Sequence, residues 1–145
     1  MSTDSPPISF SYQSFYKIRD ISAIKVWLAE VCTLEGFVLK SINYVICDDE
    51  YLLDINNNFL QHDTLTDIIT FDLSAKPHLV EGEIYVSWER VRENAPLFHT
   101  SVQKEFRRVL LHGLLHLCGH GDGSKKEKEA MRAREDLYLA SFPKK

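Results

Sequence analysis

Disulfide chemistry is the first thing this chain has too little of. Its three cysteines, Cys32, Cys47 and Cys118, are odd in number and widely spaced, which argues against a cross-linked framework and fits a reducing cytoplasm. Long apolar runs are also missing, since none reaches the roughly 18 residues that a membrane span needs. The leading segment MSTDSPPISF has neither a basic region nor an apolar stretch, so no secretory signal is expected there. Positive charge is in deficit: 17 Lys and Arg stand against 21 Asp and Glu, for a net charge of −4. That balance argues against indiscriminate binding to nucleic acid, although a local basic patch remains compatible with it. Repeats, linkers and low-complexity tracts are absent too. The 145 residues, 44% hydrophobic and 26% charged, are enough for one domain that folds around its own core.

Periodicity supplies the elements. Apolar and polar residues alternate from 8 to 13, a short strand. Ile21, Ile24, Trp27, Leu28 and Val31 then mark one face of a helix that Gly36 stops. Val38 to Cys47 is rich in β-branched and aromatic residues and predicts the next strand. Asp48 and Asp49 suit the N-cap of a helix through Phe59, with Leu52, Ile55 and Phe59 inward. Ile68 to Leu73 and Glu83 to Val86 predict two more strands joined by the Pro77 loop. Glu81 and Glu83, two apart, share a strand face and could form a paired acidic edge. A helix near Ser87 to Phe98, interrupted by Pro96, comes next, and Ser101 caps a long helix after it. Ser124 with Glu127 is a capping-box pair for the last helix. The expected fold is α+β: a single domain over residues 1–145, with about four strands in a mixed sheet and four to five helices.

Chemistry concentrates in LLHGLLHLCGHGD, Leu110 to Asp122. His112 and His116 are four residues apart, so on a helix both imidazoles reach one point. Gly119 can end that helix and turn the chain back, which would bring Asp122 in as a third, anionic ligand. Three ligands with a position left open describe a catalytic rather than a closed metal site, here at the end of a central helix. His120 is the alternative third ligand if the helix continues. It is also the best candidate proton carrier near the metal, an exposed loop histidine being the plain reading. Zinc peptidases of the HExxH type carry their general base beside the first His. Here that residue is Gly113, so peptide hydrolysis by that route is disfavoured. A mid-helix glycine costs about 1 kcal/mol relative to Ala, which implies close approach of another backbone or a substrate.

HGLLHLCGHGD resembles the HGxLHLxGxxH signature of the YbeY family, metal-dependent endoribonucleases also described as rRNA maturation factors. His62 to Asp72, HDTLTDIITFD, resembles the family's DxPTDVLSF segment, and Glu81 to Ser87, EGEIYVS, its GDIxIS strand. Glu127, Glu129, Met131 and Glu135 fall where the family carries an acidic helix. The resemblance spans about residues 50 to 140. It implies cleavage of single-stranded RNA, namely rRNA during ribosome maturation or quality control, with ribosomes or assembly intermediates as partners. His112, His116 and His120 would be catalytic, with one Zn²⁺ per chain on His112, His116 and Asp122.

Two departures stand out. The family's third ligand is usually His, and Asp122 in its place shifts preference toward Mn²⁺ or Mg²⁺. An Arg that many members carry three residues before the Asp of DxPTD is replaced by Leu60, so any phosphate-holding cation must come from elsewhere.

Candidate substrate contacts follow from position. Thr66 and Thr70 could hydrogen-bond substrate if their segment lines the cleft, with Asp67 in a structural bond. Arg90 and Arg92 lie together, and Lys104, Arg108, His112 and His116 follow i,i+4 steps toward the metal. Arg90, Lys104 and Arg108 are therefore candidates for RNA phosphate, and solvated helix faces otherwise. Either a metal-activated water or the 2′-hydroxyl of RNA could be the nucleophile. The rival readings are a ribosome-associated assembly factor with a structural metal, and a metal-dependent hydrolase of another class.

Overall fold

The computed structural model describes residues 5–60 and 66–143, except for the side chains of Phe59 and Leu60. The expectations for Phe59, for the Leu60 replacement and for positions 62–65 lie outside the described residues. The element order is β1 (Ile8–Tyr12), α1 (Ile21–Leu34), β2 (Val38–Cys47), α2 (Asp49–Leu60), β3 (Ile68–Asp72), β4 (Leu79–Ser87), α3 (Trp88–Leu97), α4 (Val102–Leu117) and α5 (Lys125–Ala140). The four strands form one mixed sheet in the order β1-β2-β4-β3. β2 runs parallel to both β1 and β4, and β3 is antiparallel to β4.

Strand alternation decides which sheet face each helix covers. Ile42, Tyr44 and Ile46 of β2 and Val80, Ile84 and Val86 of β4 are buried in one cluster with Leu110, Leu111, Leu114 and Leu115 of α4. Tyr44 is completely enclosed, and its hydroxyl donates to Leu110 O at 2.9 Å. α1 adds Ile24, Trp27, Leu28 and Val31 to the same cluster. Trp27 Nε1 donates to Tyr138 O of α5 at 3.0 Å, which ties the first helix to the last. On the opposite face α2 packs Leu52 on Cys47 and Ile69, beside Tyr51, Ile55, Phe71 and Tyr85.

β4 is longer than the four residues its β-branched run suggested, because Val80 and Gly82 continue the buried face behind polar neighbours. A Cβ at Gly82 would lie 2.8 Å from Leu117 Cδ1 and from Phe71 O. Gly113 has a related cause. A Cβ there would meet Ile84 Cδ1 at 2.9 Å and Ile68 Cδ1 at 3.0 Å, so the approach is of sheet side chains, not of a backbone or substrate. Pro96 sits in the last turn of α3 and does not interrupt it. Glu81 and Glu83 do share a face, but Glu81 pairs with Lys40 and Glu83 accepts from Tyr85.

Candidate metal centre and its cleft

α4 delivers two of the site's side chains and its end delivers the third. Ser101 starts the helix by accepting from Lys104 N. Gly119, at φ 92, stops it. Gly119 N then donates to His116 O and His120 N to Leu115 O, both at 3.0 Å, the bond pair of a Schellman motif. Only a few residues later Ser124 and Glu127 close the capping box of α5. Asp122 is thus held between two helix caps. His112, His116 and Asp122 are the cluster among the described residues that could hold a metal ion.

The donor set fits a divalent ion. His112 Nε2 and His116 Nε2 are 2.9 Å apart, and each lies 3.2–3.3 Å from Asp122 Oδ2. Ligands at 2.0–2.1 Å around a tetrahedral centre stand about 3.3 Å from one another, close to these separations. His112 Nδ1 donates to Glu135 Oε2 at 2.6 Å, which leaves the Nε2 lone pair facing its two neighbours. Burial alone would lower the His112 pKa, but Glu135, Asp122 and Asp67 outweigh it and raise it above the usual histidine value. The surrounding field therefore favours a positive charge at this point.

The cluster opens into a cleft of about 630 Å³. Its walls include Asn56 of α2, Thr66 and Asp67 before β3, Thr70 and Asp72 of β3, and Arg108 of α4. Behind the ligands, buried Glu135 and Glu105 both bind the Arg108 guanidinium, with Glu135 Oε1 at 3.2 Å. Burial pushes the Glu105 carboxyl up despite Arg108, and the two carboxylates hold Arg108 above its usual value.

Comparison with known proteins shows the family. The family model described as Endoribonuclease YbeY matches residues 11–143. The chain belongs to the YbeY family. Endoribonuclease YbeY of Cytophaga hutchinsonii is 47% identical over 131 residues, 90% of this chain and 92% of that protein. Endoribonuclease YbeY of Flavobacterium psychrophilum is 44% identical over 135 residues, 93% of this chain and 96% of that one. The solution structure of TM1509 from Thermotoga maritima superposes with a TM-score of 0.67 at 27% identity, over 93% of this chain and 88% of the other. The α+β fold of this YbeY-family chain is therefore shared.

Other candidate residues take varied places. Thr66, Thr70 and Arg108 line the cleft. His120 does not. Its Nε2 lies 2.6 Å from Glu35 Oε1, and Glu35 also accepts from Arg134 at 2.8 Å and from Tyr138. Burial would raise the Glu35 carboxyl, but the bonds from Tyr138, His120 and Arg134 hold it below the usual range. Lys104 borders a separate cavity with Arg107 and Phe142. Arg90 pairs with Asp49 at 3.1 Å and lies outside the cleft lining. Cys118 is buried against Cys32, away from the ligands. Glu135 and Glu35 were not singled out from the sequence for these contacts. Glu135 stood in the acidic run of the last helix, whereas no local signal marked Glu35.

Proposed function

We propose that this chain is a metal-dependent endoribonuclease, one domain acting in the cytoplasm on single-stranded RNA, with rRNA and ribosome assembly intermediates as its targets. Family membership supports RNA cleavage, and the resemblance of the HGLLHLCGHGD segment to rRNA maturation factors is the ground for the ribosomal target. The observation that carries the metal dependence is the trio of donor atoms 2.9–3.3 Å apart at the mouth of the cleft. Two imidazoles and one carboxylate suit Zn²⁺, with Mn²⁺ or Mg²⁺ admitted by the oxygen ligand. When bound, such an ion supplies Lewis acidity toward phosphoryl oxygens and acidifies water in its coordination shell.

The chain's own residues do the rest. Glu135 fixes the ring and tautomer of His112 through the Nδ1 bond. Asp67, Asp72 and Asp122 make the cleft acidic, and Arg108 is already held by two carboxylates. An RNA phosphate would therefore be repelled until a cation occupies the trio. Thr66 and Thr70, on the cleft wall at β3, offer hydroxyls to ribose and phosphate oxygens. His120, bonded to Glu35, holds the turn that carries Asp122. Gly113 in place of the peptidase general base disfavours peptide hydrolysis by that route, and on RNA the nucleophile is water or the 2′-hydroxyl.

The test combines elemental analysis with cleavage of labelled RNA. Wild type should carry about one zinc per chain and cut a single-stranded oligonucleotide. His116→Ala should lose both metal and cutting. A 2′,3′-cyclic phosphate end would assign the 2′-hydroxyl as nucleophile, and a plain monophosphate would assign water. Full cleavage by metal-free His116→Ala protein would overturn the reading.

A further inference from the structure

The corner between α3 and α4 shows an aromatic ring to solvent beside two guanidiniums. Phe98 caps α3 and remains 47% exposed, and its neighbour Leu97 is 72% exposed. Arg108 Cζ lies 5.2 Å from the Phe98 ring centroid and Arg132 Cζ 5.6 Å. The corner is built firmly. Phe98 N donates to Asn94 O and Ala95 O, His99 N to Pro96 O, and Thr100 N to Ala95 O. His99 takes the left-handed region at φ 55 to close it. Arg108 connects this corner to the metal cleft, because the same guanidinium faces Phe98, lines the cleft and binds Glu135, the partner of His112.

The two cations are not equivalent. Arg108 is bound by Glu105 and Glu135, so its charge is spent inside the protein. Arg132 is exposed on α5, where its guanidinium faces the Phe98 ring and its charge also acts on the Glu105 carboxyl. A half-exposed ring beside an exposed guanidinium is the pairing that single-stranded nucleic acid uses, because every base has a π-face and every linkage a negative charge. Duplex RNA buries its base faces in the stack and could not use it.

We propose that Phe98 and Arg132 form a nucleotide subsite flanking the metal cleft, where an unpaired base stacks on Phe98 and the adjoining phosphate pairs with Arg132. The proposal rests on the RNA-cleaving role argued above and adds where the strand runs: from the metal, past Arg108, to the α3–α4 corner. It also accounts for selection of single strands without base-specific contacts.

The experiment uses full-length protein, a labelled single-stranded oligonucleotide and a dinucleotide. Stacking of one base on a half-exposed ring predicts that Phe98→Ala raises Kd and KM for the long strand about 5- to 20-fold. Phe98→Trp should restore both. Arg132→Ala should lower the slope of log K against log salt by about 0.7, the loss of one phosphate contact on a single strand. Zinc content should stay at the wild-type level in all three variants, and the loss should be larger for the long strand than for the dinucleotide, which a merely structural role would not predict. Unchanged long-strand Kd and KM in both Phe98→Ala and Arg132→Ala would overturn the subsite. If wild type binds RNA without cutting it while Phe98→Ala binds more weakly, the subsite stands and the catalytic reading falls. Failure of wild type to bind single-stranded RNA would overturn both.

Discussion

Replacing Glu135 by Gln keeps the shape of a buried side chain and removes its charge. Glu135 is 1% exposed, accepts from His112 Nδ1 at 2.6 Å and pairs with Arg108 at 3.2 Å. A Gln oxygen can accept from one of these donors, while its amide hydrogens face the other. Hydrogen bonds to charged groups contribute about 1.5–3 kcal/mol and neutral ones about 0.5–1.5, so the loss of stability should be about 2 kcal/mol. Arg108 retains Glu105, which limits the damage. Glu135→Ala leaves the His112 donor and half of the Arg108 pairing unmet, and about 3–5 kcal/mol is expected for breaking a buried pair. Metal affinity should respond separately. Loss of an outer-shell carboxylate behind a ligating histidine typically weakens binding about 10- to 100-fold. Urea denaturation of chelator-treated protein measures the first effect, and zinc competition against a chromophoric chelator measures the second. Glu135→Gln protein that is fully folded and binds zinc as tightly as wild type would refute the orienting role. A change below about 1 kcal/mol for Glu135→Ala would refute the buried network as a support of α4 on α5.

The remaining predictions concern the frame around the site. The Glu35 carboxyl is held below its ordinary value, so its stabilisation is complete above the unfolded pKa of about 4.3 and fades as pH falls through the lower folded value. Glu35→Gln should flatten the acid limb of the stability profile; an identical acid limb would refute the claim. Tyr44→Phe removes the bond to Leu110 O and should cost about 1 kcal/mol without altering zinc content, read by denaturation and elemental analysis. Gly113→Ala gains about 1 kcal/mol of helix propensity but forces Ile84 and Ile68 aside, at about 1–3 kcal/mol. Net destabilisation of up to about 2 kcal/mol is expected, and a more stable variant would mean that α4 is not packed this tightly. Burial pushes the Cys47 thiol up to about 12, so native protein should resist alkylation at that residue at pH 8. Rapid native labelling, located by mass spectrometry, would contradict it.

How far the sequence could be read depended on how local the cause was. Ser101, Ser124 and Gly119 mark helix ends through bonds to residues no more than five away, so those boundaries were legible. The meeting of His112, His116 and Asp122 was legible for the same reason, since one helix turn and one short link bring their side chains together. The basic stripe misled because four residues overshoot a turn by about 40°. Three such steps carry Lys104 about 120° around from His116, which is why it borders another cavity. Gly113 looked like an approach to backbone or substrate because the sheet packed against it is not visible along the chain. β4 was cut short because Gly82 hid its buried face.

By itself the sequence determined the order of the secondary elements, the YbeY resemblance and the convergence of His112, His116 and Asp122, through periodicity, caps and spacing within one stretch. Only the tertiary structure decided the sheet order, the partner of His112 and the place of His120. Glu135 is 23 residues from His112, and Glu35 is 85 from His120. Such pairs form because α1 and α5 close on α4 as apolar faces are buried, and no local rule of chain geometry encodes them.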